Sequence, residues 1–290
     1  MKHPDDTEQA LPQTIGVLGG GRMGSGIAHA FLIAGARVVV VEVNDDAVSA
    51  ARGRIEKDVS ASVERGKIEG TAGEWLDRLN VTTDASAFSE CGLVVEAVPE
   101  MWDLKVESLR RAESQLHDDA WLATNTSSMS VDGLAGELKR PERFCGLHFF
   151  NPVPASKLVE VVLGRRTSEE LREKAQEWVA GLGKTPVTVH DAPGFASSRL
   201  GVALSLEAIR MVEEGVASPE DIDLAMTLGY KHPVGPLALT DIVGLDVRLG
   251  IAEYLESQLG PRFAPPQLMR DMVERGELGK KAGKGFYSYE

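Results

Sequence analysis

The chain has few cysteines, no long apolar run and a shortage of positive charge. Its 290 residues include two cysteines, Cys91 and Cys145, which lie in apolar contexts without the spacing of a zinc site. They predict buried thiols in a reducing compartment. No apolar run is long enough to span a membrane. Residues 1–13 are acidic and polar, unlike a targeting segment, so we expect a disordered tail and a cytoplasmic protein.

Positive charge is scarce, because 31 Lys and Arg face 44 Asp and Glu, for a net charge of -13. This balance disfavours a nucleic acid or an anionic membrane as partner, and an anionic substrate would need a local basic patch. The chain is also 43% hydrophobic, which is enough for a sizeable packed core.

The segment from Thr14 to Glu42 reads as a buried strand, a glycine turn, a helix and a second buried strand. Its G-x-G-x-x-G pattern directly follows the apolar run Ile15–Leu18. In such a turn one glycine allows a tight bend, one lets the backbone approach a pyrophosphate, and one lets the helix pack on the sheet. The helix N-terminus then faces the phosphates. The predicted dinucleotide-binding residues of this turn are Gly19, Gly20, Gly21, Arg22, Met23 and Gly24.

Glu42 ends the second strand, about 20 residues past the glycines, where a carboxylate can bind both ribose hydroxyls. The acid favours NAD over NADP, because it would repel a 2′-phosphate and its neighbours Val43 and Asn44 supply no cation. Arg22, inside the turn, is the one residue that works against this preference.

Strands and helices alternate up to about His190, which predicts an α/β fold with a mostly parallel, Rossmann-type sheet over residues 14–190. Ligands of such sheets lie beyond the carboxyl ends of the strands. Residues 191–290 are helical in pattern, with a clear helix start at Ser218-Pro219. We expect a smaller all-α domain there that binds substrate and forms a homodimer.

The predicted helix from Asp45 to about Arg65 carries a basic face. A solvated helix surface and a patch for a phosphorylated substrate are both consistent with this pattern. The candidate residues for such a patch are Arg54, Lys57, Arg65 and Lys67.

His148 lies in the apolar strand G-L-H-F-F, and Glu160 is the only charge in the next apolar run, L-V-E-V-V. A histidine in such a strand is usually a core residue. A buried carboxylate, however, is costly unless paired, and an imidazole is its natural partner. A His–Glu pair fixes the tautomer and supports a general base, which a dehydrogenase acting on an alcohol requires.

The segment T-N-T-S-S at 124–128 ends a strand on the cofactor side of the predicted sheet. One interpretation is a helix N-cap, for which Ser130 would serve equally well. The other gives one of these hydroxyls a contact with the substrate oxygen and the Asn125 amide a contact with the nicotinamide end. The pattern alone does not separate them.

Eight segments together resemble the (S)-3-hydroxyacyl-CoA dehydrogenases, particularly the short-chain 3-hydroxybutyryl-CoA dehydrogenases of bacteria. They are G-G-G-R-M-G-S-G-I-A, V-V-E-A-V-P-E, T-N-T-S-S, G-L-H-F-F-N-P-V-P, K-L-V-E-V-V, D-A-P-G-F, P-V-G-P-L-A-L-T-D-I-V-G-L-D and G-K-G-F-Y-S-Y. The resemblance covers nearly the whole chain after Gln13. It implies NAD-dependent interconversion of a 3-hydroxyacyl-CoA and its 3-ketoacyl-CoA.

The resemblance also implies roles for individual residues. His148 corresponds to the catalytic base, Glu160 to its orienting partner, and Ser127 to a serine that binds the substrate oxygen. The further residues that it implies in cofactor binding are Glu100, Lys105, Asn151 and Lys281.

Ser198 departs from the family pattern, in which an asparagine follows P-G-F-x-x. A hydroxyl has a shorter reach and one donor instead of two, which puts the substrate pocket in question. Two alternatives follow from the same scaffold. One is an enzyme for a small hydroxy acid of the carnitine or gulonate type. The other is a non-catalytic NAD-binding or structural protein, for which Ser127, His148 and Glu160 together would have no use.

Overall fold

The computed structural model describes residues 11–289. The chain divides into two compact units, and the division falls between Asp191 and Ala192. In the part of the chain that the structure describes, no helix has the length and apolar character needed to cross a membrane.

The first unit contains one sheet of eight strands in the order β3-β2-β1-β4-β5-β6-β7-β8. Neighbouring strands are parallel except for β6 and β7, which pair antiparallel. The order reverses between β1 and β4, which is where open sheets of this kind bind ligands. The strands are β1 Thr14–Leu18, β2 Arg37–Val41, β3 Leu79–Thr82, β4 Leu93–Glu96, β5 Trp121–Thr124, β6 Phe144–Phe149, β7 Leu158–Leu163 and β8 Thr185–His190.

Helices flank this sheet, and their apolar residues join those of the strands in one core. The central strands are buried along their length, as β1, β4 and β5 illustrate. Strands covered on both faces read as continuous apolar runs, and the sequence shows such runs. The helices of this unit are α1 Arg22–Ile33, α2 Asp45–Glu64, α3 Ala72–Leu76, α4 Trp102–Gln115, α5 Val131–Gly136 and α6 Glu169–Gly181.

The predicted mostly parallel sheet is confirmed, and two short elements were not predicted. Strand β3 has four residues, L-N-V-T, at the edge of the sheet, too few and too polar for a clear pattern. Helix α3 has five residues and begins with a capping box in which Thr71 and Glu74 satisfy each other's backbone N–H groups.

The disordered tail predicted for residues 1–13 extends too far along the chain, because its last residues belong to the first unit. Leu11 is buried in the core of the first unit. The carbonyl of Gln13 accepts a hydrogen bond of 2.9 Å from the Arg37 backbone N–H, which continues the pairing of β1 with β2. The remainder of that prediction, residues 1–10, lies outside the described residues.

The second unit is helical and has its own apolar core. The predicted helix start at Ser218 is confirmed, because the Ser218 hydroxyl accepts a 3.1 Å hydrogen bond from the Asp221 N–H. A π-helical turn, Ala225–Gly229, follows α8. The helices of this unit are α7 Ser197–Glu213, α8 Pro219–Leu224, α9 Pro236–Val243, α10 Leu245–Leu259 and α11 Gln267–Glu274.

Candidate active site

The glycine turn between β1 and α1 has three positions with different constraints. Gly19 has φ +89°, a region that only glycine adopts readily. A Cβ on Gly24 would lie 1.8 Å from the Gly19 carbonyl oxygen, so the helix can pack here only without a side chain. A Cβ on Gly21, in contrast, would meet no other described heavy atom within 4 Å. The backbone at Gly21 is therefore open to a ligand.

Glu42 is attached to the same turn. Its Oε1 accepts a 2.6 Å hydrogen bond from the Gly20 N–H, and its Oε2 accepts a 3.1 Å hydrogen bond from the Val43 N–H. A carboxylate at this position is next to the open backbone of Gly21, as binding of an adenosine ribose requires. The turn, the start of α1 and Glu42 together fit a dinucleotide such as NAD.

Arg54 is also attached to the glycine turn. Its Nη1 donates to the Gly20 carbonyl at 3.0 Å, and the Ser25 hydroxyl donates to the same oxygen at 2.6 Å. Arg54 is exposed, like the other basic residues of the α2 face, and this hydrogen bond adds a contact with the turn. Lys57, Arg65 and Lys67 are exposed on α2 and just after its end.

A buried ion pair lies where β4 ends. The Lys105 ammonium, on α4, donates to Glu96 Oε1 at 2.7 Å, and these two side chains are 1% and 0% exposed. The Val98 N–H donates to Glu96 Oε1 at 2.7 Å, and the Thr124 hydroxyl donates to Oε2 at 2.6 Å. Burying both charges is tolerable because each has several partners.

The same ammonium reaches Glu100, whose Oε2 lies 3.2 Å away. Together with the Val98 carbonyl at 3.2 Å, Lys105 thus has three acceptors within the protein. Its predicted contact with the cofactor remains a prediction. The contacts in this structure give it a second task, which is to hold Glu100.

Glu100 organises the T-N-T-S-S segment. Its Oε1 accepts hydrogen bonds from the hydroxyls of Thr126 and Ser128 and from the N–H groups of Ser127 and Ser128. Burial alone would raise the pKa of Glu100, but Lys105 and these hydrogen bonds outweigh it and lower the pKa below 4.5. The carboxylate therefore stays ionised and fixes the backbone at Ser127.

The structure identifies the N-cap of the following helix as Ser130. Its hydroxyl accepts from the Gly133 N–H at 3.0 Å and donates to Asp191 Oδ2 at 2.7 Å. Ser127 is therefore not needed as a cap. Asn125 Oδ1 accepts from the Phe149 N–H at 2.8 Å, which ties this segment to the end of β6 next to His148.

His148 and Glu160 face each other across the antiparallel pair β6–β7, where they are register partners. His148 Nδ1 lies 2.8 Å from Glu160 Oε2, and the two side chains are 8% and 1% exposed. The predicted pair thus exists and is buried. With a carboxylate on Nδ1, the imidazole has the tautomer and orientation that a general base requires.

Three further predicted residues have the following local settings. Asn151 is exposed just after β6. Within the second unit, Ser198 is in the first turn of α7, and Lys281 pairs with Asp246 at 2.6 Å. Sequence reasoning missed Glu96, although it is the single charge in the apolar run V-V-E-A-V, the same signal that identified Glu160.

Comparisons with known proteins cover both units. The model of the 3-hydroxyacyl-CoA dehydrogenase NAD-binding domain matches residues 14–192, and that of the C-terminal domain of the same enzyme matches residues 194–289. The chain belongs to the 3-hydroxyacyl-CoA dehydrogenase family. It is an NAD-dependent oxidoreductase, and NAD is the cofactor of its first unit.

Individual members of the 3-hydroxyacyl-CoA dehydrogenase family are similar over nearly their whole length. A probable 3-hydroxybutyryl-CoA dehydrogenase of Deinococcus radiodurans is 42% identical over 275 residues, which is 94% of this chain and 99% of that protein. The 3-hydroxybutyryl-CoA dehydrogenase of Mycobacterium tuberculosis is 43% identical over 281 residues, or 96% and 98%. The crystal structure of (S)-3-hydroxybutyryl-CoA dehydrogenase from Ralstonia eutropha superposes with a TM-score of 0.92 at 38% identity, covering 96% and 99%.

The lowered pKa of Glu100 predicts a pH-dependent stability. A carboxyl whose pKa is depressed in the folded state stabilises it above the unfolded-state pKa, and this contribution is lost as the pH falls. We expect Glu100→Gln to lower the melting temperature by about 2–6 °C at pH 7. The difference from wild type should shrink as the pH falls below 4.5.

Melting curves from pH 3 to pH 8, followed by circular dichroism, measure this effect. Glu107→Gln is the matched control, because Glu107 is an exposed carboxylate on α4, the helix that begins just after Glu100, and it should leave the curves unchanged. If the melting temperatures of wild type and Glu100→Gln differed by the same amount at every pH, the stabilising role of the ionised Glu100 carboxylate would be contradicted.

Proposed function

We propose that this protein interconverts short (S)-3-hydroxyacyl-CoA and 3-ketoacyl-CoA, with 3-hydroxybutyryl-CoA as the preferred hydroxy substrate. The observation that carries the proposal is the buried His148–Glu160 pair at 2.8 Å, tied through Phe149 and Asn125 to the segment at the carboxyl end of β5. The short-chain preference is supported by the names of relatives that are about as long as this chain.

In the proposed reaction, His148 removes the proton of the 3-hydroxyl group. NAD, when bound, accepts the hydride from C3. Glu160 stabilises the imidazolium that forms, because its carboxylate is already on Nδ1. The Ser127 hydroxyl donates to the substrate oxygen and keeps it in line with the histidine. In the reverse direction the imidazolium returns the proton to the ketone oxygen.

The cofactor contacts remain proposals for each residue. The turn from Gly19 to Gly24 would hold the pyrophosphate, and Glu42 the adenosine ribose. Asn125 would reach the nicotinamide end through its amide NH₂, because its Oδ1 is already used by Phe149. The remaining proposed contacts are Glu100, Lys105, Asn151 and Lys281.

For the CoA phosphates we propose the exposed cations of the α2 region. Lys57, Arg65 and Lys67 supply positive charge on a protein whose net charge is -13. Arg54, bonded to the Gly20 carbonyl at 3.0 Å, is better placed to support the glycine turn than to join this patch.

We also propose that residues 191–290 form the substrate and dimerisation domain, with residues 14–190 as the cofactor domain. Homodimerisation is supported by large apolar side chains that are exposed in the second unit, among them Leu228 at 68%, Tyr230 at 75% and Ile242 at 54%. Sedimentation should give the mass of two chains. A monomeric mass at micromolar concentration would contradict the dimer.

A reducing compartment is supported by the two cysteines. Both are buried free thiols, and burial raises the pKa of Cys91 and of Cys145 to about 12. Such thiols resist oxidation and contribute as small apolar groups of the core. We keep a cytoplasmic location as a proposal on this basis.

The function is tested by NADH oxidation with acetoacetyl-CoA at neutral pH. We expect turnover with NADH and the thioester, and little with NADPH, because Glu42 would repel a 2′-phosphate. Free acetoacetate should be a poor substrate, and the KM for the thioester should rise with ionic strength. Turnover of free hydroxy acids or keto acids without any CoA thioester would favour the carnitine or gulonate alternative, with Ser198 as the residue responsible.

The role of His148 is tested by His148→Gln, which removes the base and keeps a polar side chain. We expect kcat to fall by about 10²–10⁴ while NADH binding is retained. His117→Gln is the control, because His117 is exposed between α4 and β5. A His148→Gln variant that keeps most of its kcat would rule out the assignment.

A further inference from the structure

The loop of residues 150–157 joins β6 to β7 and so lies between His148 and Glu160 in the sequence. Its middle is a tight turn, in which the N–H groups of Ala155 and Ser156 both donate to the Pro152 carbonyl at 3.0 Å. The carbonyls of Val153 and Ser156 are not used by this turn, and they accept hydrogen bonds from a donor outside the loop.

One side chain supplies both donors. Lys184, at the residue before β8, donates from Nζ to the Val153 carbonyl at 2.7 Å and to the Ser156 carbonyl at 2.5 Å. The Thr185 N–H adds a 2.6 Å hydrogen bond to the Lys157 carbonyl. Lys184 is half-buried, and burial together with the charge of Lys67 lowers its pKa. Partial burial of a charged ammonium costs free energy, so the position of Lys184 indicates that its two hydrogen bonds to the loop have a specific role.

The side chain of Val153, in the same loop, packs on the cofactor helix. Val153 is 2% exposed, and a Cβ on Gly26 of α1 would lie 2.9 Å from the Val153 Cβ. Gly26 thus allows a close contact between the helix that begins at the glycine turn and the loop that leaves the His148 strand. The loop is held by two contacts, the packing of Val153 on Gly26 of α1 and the hydrogen bonds from Lys184 before β8.

We propose that Lys184 is a positioning residue that fixes the 150–157 loop, and through Val153 the dinucleotide helix, relative to the His148–Glu160 pair. Strand β8 pairs with β7 so that Val187 is the register partner of Glu160, which connects Lys184 to the same pair from the other direction. Hydride and proton transfer both require the reacting groups in a narrow range of positions. The proposal rests on the proposed role of His148 as the base.

The first variant is Lys184→Met, which keeps the aliphatic stem and removes the donors. We expect kcat per NADH-binding site to fall about tenfold, because a loosened loop misplaces the cofactor helix relative to the base. The Kd for NADH, measured by fluorescence titration, should stay within about twofold, because Lys184 touches neither the glycine turn nor Glu42. Lys139→Met, at an exposed lysine of the same unit, is the matched control and should leave both values unchanged.

The second variant, Gly26→Ala, perturbs the loop through its contact with the Val153 side chain. Alanine in a helix interior normally stabilises a protein relative to glycine. Here the added Cβ would displace Val153, so we expect a lower melting temperature and the same loss of kcat as in Lys184→Met. A stabilised Gly26→Ala enzyme with full kcat would overturn the proposed contact between the loop and the helix.

Hydrogen exchange on the NADH-bound protein separates this proposal from the proposed function. Lys184→Met should speed exchange of the Ala155 and Ser156 amides by at least tenfold and leave that of α6 unchanged. If wild type does not turn over acetoacetyl-CoA, the proposed substrate is wrong, and the exchange rates still test whether Lys184 holds the loop. Unchanged exchange in residues 150–157, or an unchanged kcat per site, would overturn the role of Lys184.

Discussion

The need to pair a buried carboxylate governs this site. Glu160 is 1% exposed, and an ionised carboxylate at such a position is stable only with a close partner. The antiparallel pairing of β6 and β7 supplies that partner by placing His148 directly opposite. The change of strand direction between β6 and β7 is therefore what brings this pair together. It also creates the connecting loop that Lys184 and Gly26 hold.

The same constraint acts a second time at the end of β4. Glu96 is fully buried and takes its partners from Lys105, Val98 and Thr124, which brings the ends of β4, β5 and α4 together. Lys105 extends this network to Glu100, and Glu100 fixes the backbone at Ser127. Two buried carboxylates thus hold His148 at one place and, through Lys105 and Glu100, the 124–128 segment at another.

Much of the first unit could be predicted from local patterns. Continuous apolar runs identified the buried strands, and the glycine spacing together with Glu42 identified the nucleotide turn. Both could be predicted because the backbone conformation of a strand or a tight turn depends mainly on residues that are neighbours in the sequence. Strand β3 escaped prediction because its four residues, half of them polar, become a strand only by pairing with β2. The direction of β7 also depended on pairing, which composition does not encode.

By itself, the sequence determined the fold class, the dinucleotide turn and the pairing of one lone histidine with one lone glutamate in two apolar runs. Only the tertiary structure decided that Arg54 supports the glycine turn and that Lys184 binds the loop after β6. The physical reason is the separation in sequence between the residues that interact. Strand ends and helix faces follow from residues a few positions apart, whereas these contacts join side chains to backbone carbonyls about 30 residues away, such as Arg54 to Gly20 and Lys184 to Val153.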